Sequence, residues 1–253
     1  MNYFAHALPF LAAASAARAD ETPAAYFIAG TATPDWLVVA DRPLRVRSKH
    51  VEPFLADADP LTAAVAGGML QHFRDDAHFH ATRAFVELSL QCTATARDVL
   101  AGDPGFRPSF LGHILVELLL DATLTAAAPE SARRYFEVLD AVDPTRVQDA
   151  VSRIGPRPTA RLAPLIVAFC RERILWDYLE DAKLLGRLNQ VMRRVGLAEL
   201  PDRFADILPE LRRRVADRQR ELLDGLPAAL GRQSNQPSPI STVYRRPLRC
   251  DSE

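Results

Sequence analysis

The sequence predicts an all-α fold: a single multi-helix domain with a loop-rich N-terminal segment and a disordered C-terminal tail. Three observations carry this expectation. Ala, Leu, Arg, Asp and Glu dominate and β-branched runs are short, a composition that favours helices. From Pro60 onward apolar residues recur at three- and four-residue spacing. Prolines, glycines and short polar residues fall between those stretches, where helices start and stop. With 253 residues, 48% of them hydrophobic, the chain is long enough to bury a substantial core. We place the domain at residues 1–228 and the tail at 229–253.

Taken in order, the first element is the apolar run from Ala5 to Ala17. Ala17-Arg18-Ala19 imitates a signal-peptidase site, but no positive charge precedes the run, and His6 and Pro9 interrupt it. It reads as a first helix or approach segment. The expected location is cytoplasmic, with a cleaved signal as the alternative. Pro23, Pro34, Pro43, Pro53 and Pro60 then punctuate the chain. The apolar run from Tyr26 should end in a turn at Pro34, because proline biases Thr33 toward extended backbone, so Asp35 should open a new element.

Helices are expected from Leu61 to about Phe79, with Thr62 in its cap region, and from Ala81 to about Leu100, closed by Gly102, Pro104 and Gly105. Ser109 to about Ala127 follows, with an apolar face at Ile114, Leu115, Leu118 and Leu119. Pro129 opens a helix through Val142. Asp143 caps the next, with Pro144 in its first position. Pro158 to about Leu185 reads as one long helix, and Leu188 to Val195 and Phe204 to about Leu226 complete the set. The polar, proline-bearing run from Gly231 to Pro239 begins the tail.

Several function classes lack support. A net charge of −1 gives no clear nucleic-acid surface and no membrane-surface signal. Neither a GxGxxG nor a GxxxxGK[ST] pattern is present to cradle a nucleotide. No stretch is expected to span a bilayer. Cys92, Cys170 and Cys250 are odd in number and widely spaced, which argues against a disulfide framework. Cys92 and Cys170 read as small core residues.

What stands out is the distribution of histidines and acids. His72-x-x-x-Asp76 and His113-x-x-x-Glu117 each place imidazole and carboxylate four residues apart, on one helical face. His78 and His80 lie beside the first pair, Asp121 extends the second, and His6, Asp35 and His50 precede both. Imidazole and carboxylate are the ligands of zinc, manganese and iron. Glu117 sits in an apolar helix, where a carboxylate is costly unless paired or metal-bound. Plainer readings exist for each member. His113 and Glu117 could form an internal hydrogen bond, His50 could belong to a basic loop with Arg45, Arg47 and Lys49, and Asp35 could be a helix cap. Together the residues point to a buried metal site.

The order His6, Asp35, His50, His72-x-x-x-Asp76, His80 (or His78), His113-x-x-x-Glu117 resembles the zinc-dependent phospholipase C superfamily, which includes single-strand-specific nucleases. Gly30-Thr31-Ala32-Thr33-Pro34-Asp35-Trp36 is similar to that family's turn around a Pro-Asp pair, and Gly68 through His80 to its central metal helix. The resemblance covers the chain to about residue 125. It implies two or three divalent ions, zinc first, with manganese or iron also fitting. One would be held by His50, His72 and Asp76, and a second by His80, His113 and Glu117. A third would use His6 with a bridging Asp76 and the N-terminal amine. Asp35 would be the general base or would orient a water. The implied activity is hydrolysis of a phosphoester, preferably a phosphodiester, by a metal-activated hydroxide. Met1-Asn2-Tyr3-Phe4-Ala5-His6 is also similar to the start of bacterial acyl carrier protein phosphodiesterases.

The substrate expected is a small-molecule or lipid phosphoester, with Arg45 and Arg74 as phosphate partners. Lys49 and Arg83 are further cations near the proposed ligands, and Trp36 and Phe79 could line a pocket or belong to the core. The alternative is a non-catalytic helical protein with a structural metal site.

Overall fold

The computed structural model describes residues 1–12, 22–103 and 105–226, and among these no strand occurs. The fold is all-α. Its principal helices are α1 (Tyr3–Ala7), α2 (Pro23–Ala40), α3 (Ser48–Val51), α4 (Pro60–Ala81), α5 (Arg83–Val99) and α6 (Pro108–Ala127). They continue as α7 (Pro129–Asp140), α8 (Pro144–Ile154), α9 (Leu162–Glu172), α10 (Asp181–Arg194), α11 (Leu208–Asp217) and α12 (Gln219–Leu222). Single 3-10 turns lie at Leu8–Phe10, Glu52–Phe54, Ile174–Leu179 and Asp202–Ile207. The polar tail and the Ala17-Arg18-Ala19 motif fall outside the described residues.

Most expected helices form close to their expected bounds, and local chemistry explains why. α4 begins at Asp59, whose carboxylate accepts from the Leu61 and Thr62 amides at 3.2 and 3.3 Å. Asp59 is therefore the cap, and the Thr62 hydroxyl only donates to it, at 2.7 Å. α8 is capped as expected by Asp143, which accepts from the Thr145 amide at 2.8 Å. Thr82 ends α4 and caps α5 through its hydroxyl.

Three expectations fail for identifiable reasons. The run from Tyr26 does not turn at Pro34; α2 passes straight through it. A proline inside a helix costs about 3 kcal/mol. Here Tyr26, Ile28, Ala29, Ala32, Trp36 and Leu37 are all buried, and their burial holds the helix together across the missing amide. Loop remains at residues 41–47 and 55–59. The long helix from Pro158 is instead broken at Arg173, which takes a left-handed backbone with φ of 51°. Its guanidinium lies 4.8 Å from the Phe136 ring centre and pairs with Asp140, so side-chain contacts hold a conformation usually left to glycine. The helix from Phe204 divides into a 3-10 turn, α11 and α12.

α6 is long and apolar enough to cross a membrane by length and composition, against the expectation that no stretch would be. In the fold it is a core helix: Leu111, Leu115, Val116, Leu119 and Leu120 are fully buried.

The site is positioned by two close helix crossings. α2 meets α4 at Gly30 and Gly68, where a Cβ on Gly68 would lie 2.1 Å from the Phe27 carbonyl oxygen and one on Gly30 2.4 Å from that of Val65. α5 meets α6 at Gly112, where a Cβ would lie 2.5 Å from the Ser89 carbonyl. Gly68→Ala should therefore lower the unfolding free energy by about 3 kcal/mol in chemical denaturation. Gly186→Ala, in an exposed turn of α10 with open space at the Cβ position, should raise it by about 0.5 to 1 kcal/mol.

Candidate metal centre

Asp76 is the meeting point of α1, α2 and α4. The α2–α4 crossing brings the Thr31 carbonyl onto the His72 ring, whose Nδ1 donates to it at 2.8 Å. This fixes the proton on Nδ1 and turns Nε2 toward the carboxylates, 3.4 Å from Asp76 and 3.9 Å from Asp35. The His6 ring, delivered by α1, stacks on His72 with centroids 4.1 Å apart. Its Nδ1 donates to Asp75 at 3.2 Å, and its Nε2 lies 3.3 Å from Asp76. Histidine held through one nitrogen by a carbonyl or carboxylate, with the other facing an acid, is the arrangement of metal-ligating imidazoles.

The fit to a cation is electrostatic. His6 Nε2 is buried and has no hydrogen-bond partner among the described residues. In the tautomer with the proton on Nδ1, each ring turns its Nε2 lone pair toward Asp76. Lone pair facing carboxylate is repulsive until a proton or a metal ion lies between them. Burial pushes the Asp76 carboxyl up, but the close approach of His6, His72 and the Met1 amine, any of which can carry positive charge, more than offsets it and holds the group well below the usual carboxylate range. Burial likewise lowers His72, and Asp35 and Asp76 raise it to a net value above normal. The Asp35 carboxyl is raised by burial against the opposing pull of His72 and His6.

A second group is built on α4 and α6. Glu117 Oε1 lies 2.9 Å from His80 Nε2 and 3.1 Å from His113 Nε2. Phe85 of α5 packs against both rings, with centroids 4.7 and 5.0 Å away, and so orients them. Burial raises the Glu117 carboxyl, but the Met1 amine and the two imidazoles bring it down to about 2. The Met1 amine joins the groups, lying 2.6 Å from Asp76 and 3.3 Å from Glu117.

Two sets, His6/His72/Asp76 and His80/His113/Glu117, therefore each offer three ligand atoms within 4.8 Å of one another. Of His78 and His80, it is His80 that lies with His113 and Glu117. His78 Nε2 instead donates to the Asp224 carbonyl at 2.6 Å, its ring lying over Gly225. His50 joins neither group; its Nδ1 accepts from the Arg47 amide at 3.2 Å at the start of α3. His6 takes the place beside His72 and Asp76 expected of His50. Arg45 lines a cavity of about 390 Å³ together with Asp35, His72 and Asp76. Arg74 is exposed on α4 and does not line it. Trp36 and Phe79 are fully buried, and Cys92 is a core residue. No family model matches the chain, nor does any curated protein or solved structure.

One acid beside the site, Asp75, escaped the sequence reading, and a second, Asp121, was placed on the right stripe without its role. Asp75 holds His6 and is held in turn by Gln71 Nε2 at 2.7 Å; the Gln71-x-x-x-Asp75 spacing was the available signal. Asp121, fully buried, accepts from the Phe4 and Ala5 amides at 3.0 and 2.8 Å. It supplies the acceptor that Asn2 does not, since Asn2 makes no side-chain cap bond to α1. Burial pushes the Asp121 carboxyl up to about 7 despite those two amides.

Each Asp121 oxygen serves one amide, so Asp121→Asn sets an NH₂ group against one donor. The variant should lose about 2 kcal/mol at pH 7, with faster hydrogen exchange at the α1 amides. The pH dependence has a definite sign. An unfolded aspartate titrates near about 3.9, so the folded state holds the extra proton between there and about 7. The contribution of wild-type Asp121 is full below the lower value and declines as pH rises toward 7. Relative to Asp121→Asn, it should fall by at most about 1.4 kcal/mol per pH unit across that window.

Proposed function

We propose that the chain is a metal-dependent phosphoester hydrolase, acting by preference on phosphodiesters, of the helical metallohydrolase type that the zinc-dependent phospholipase C superfamily represents. The observation that carries this is the pair of three-ligand sets at Asp76 and Glu117, one of them opening on a cavity that arginine also lines. The ligand chemistry suits zinc first, and manganese or iron as well. A bound ion of this kind polarises a phosphoryl oxygen and lowers the pKa of water to near neutrality.

The roles of the side chains follow from their surroundings. His6 and His72, oriented by Asp75 and Thr31, share Asp76. His80 and His113 share Glu117. Asp35, kept near His72 by the α2–α4 crossing and with its proton affinity raised by burial, orients the attacking water or takes its proton. Arg45 lines the same cavity and would attract an anionic substrate into it.

Metal analysis of the chain purified without chelator tests the reading. Two equivalents of zinc, manganese or iron are expected, and less than about one overturns it. His72→Ala and Glu117→Ala should each lower the metal content, with the other set retained. Hydrolysis of an aryl phosphodiester should disappear in chelator, return with zinc or manganese, and fall by about 10²-fold or more in Asp35→Asn with metal content unchanged. Bound metal without hydrolysis would instead mark a structural site.

A further inference from the structure

The cavity beside Asp76 has two electrically opposite walls. Asp35, His72 and Asp76 form one. The other carries Arg42, Arg45 and Arg47, three cations within six residues of the loop that joins α2 to α3. None of the three makes an ion pair among the described residues. Their neighbours behave differently: Arg157 pairs with Asp41 at 2.6 Å, Arg153 with Asp57 at 2.7 Å and Arg146 with Asp59 at 3.7 Å. Asp41, the acid within this loop, is thus engaged by Arg157 from just beyond α8, and Asp57 and Asp59 of the following loop by Arg153 and Arg146 of α8. The three that face the cavity are left without a carboxylate.

The loop is also held in place. Asp41 and Leu44 are buried, the Leu44 amide donates to the Asp41 carbonyl at 2.7 Å, and Asp41 is clamped by Arg157. With positions 41 and 44 fixed inward, Arg42, Arg45 and Arg47 are exposed toward the cavity side. Such fixing lowers the ordering cost of binding.

Donor capacity then bears on the ligand. A guanidinium offers about five N–H donors in a fork that fits two oxygens of a phosphate or carboxylate. A single phosphodiester has two non-bridging oxygens and one charge, and an ion on the His72/Asp76 wall would engage at least part of these. Three guanidinium groups exceed what remains. We infer that the substrate is a small phosphorylated molecule with a second anionic group, preferably a second phosphate, which Arg42, Arg45 and Arg47 bind while the phosphoester to be cleaved lies at His72 and Asp76. This rests on the hydrolase reading for the cleaved group. It is independent of that reading for the anion held by the arginines.

The test is calorimetric titration of the full chain, before and after chelator, with fructose 1,6-bisphosphate and fructose 6-phosphate, which differ by one phosphate. The bisphosphate should bind at least about tenfold more tightly. The Arg42→Gln/Arg45→Gln/Arg47→Gln variant should lose that preference while keeping its melting temperature and metal content. Arg45→Glu alone, a change at an exposed position, should weaken the bisphosphate more than the monophosphate. Equal binding of the two sugars, or a preference that survives the triple substitution, overturns the inference. An arginine-dependent preference in a chain that holds no metal supports the anion site while removing the hydrolase reading. Metal-dependent hydrolysis without the preference does the reverse.

Discussion

The approach of α2 to α4 through Gly30 and Gly68 sets the geometry on which the candidate centre depends. With hydrogens in place of side chains, the two backbones come within a distance that a methyl group would forbid. Helical register does the rest. Thr31 follows Gly30, and His72 lies one turn beyond Gly68, so the Thr31 carbonyl meets the His72 ring. One further turn along each helix brings Asp35 and Asp76, both facing His72 Nε2. A wider crossing would separate the carbonyl from the imidazole, release the tautomer and let the two carboxylates drift from the ring.

A second constraint is charge. The interior around α1, α4 and α6 gathers Asp35, Asp75, Asp76, Glu117 and Asp121 within a largely apolar helical core. Burying carboxylates is unfavourable unless positive charge or N–H donors accompany them. Four of these acids have identifiable partners. Asp121 takes two backbone amides, Asp75 an imidazole and an amide side chain, and Glu117 two imidazoles and an amine. Asp76 takes two imidazoles and the same amine. The opposed directions at Asp121, raised, and at Asp76 and Glu117, lowered, express both the deeper burial of Asp121 and this difference in partners.

Much of this was legible in the sequence, because much of it is local. The two i,i+4 pairs of His and acid read directly off helical periodicity, and both helices formed. Caps at Asp143 and the stops around Gly102 obey short-range rules. What was not legible depended on contacts distant in sequence. Pro34 breaks a helix by local rules, yet the burial of Trp36 and Tyr26 carries α2 through it. His50 and His6 were indistinguishable as isolated histidines. Only the seating of α1 against Asp121 brings His6 to Asp76, while His50 serves the start of its own short helix. His78 and His80 differ by two positions, close to half a turn, and that rotation sends one ring to Glu117 and the other to the Asp224 carbonyl.

α6 shows how one stripe on an apolar helix can hold different structures together. Its composition alone would suit a membrane span, and its apolar residues instead pack largely against neighbouring helices. His113, Glu117 and Asp121 follow one another at four-residue intervals, a line that drifts only slowly around the helix. At its solvent-facing end His113 is half exposed; in the middle Glu117 is largely covered; at the inner end Asp121 is fully buried. The same line therefore offers an accessible ligand, a charge-compensated carboxylate and a buried acceptor for the amides of α1. Because Asp121 fixes α1 and α1 carries His6, the geometry at Asp76 on α4 depends on a residue of α6 that touches neither of the two ligand sets. Asp121 thus ties α6 to α1 through two backbone hydrogen bonds, and the Met1 amine and His6 tie the same end of α1 to the acids of α4 and α6.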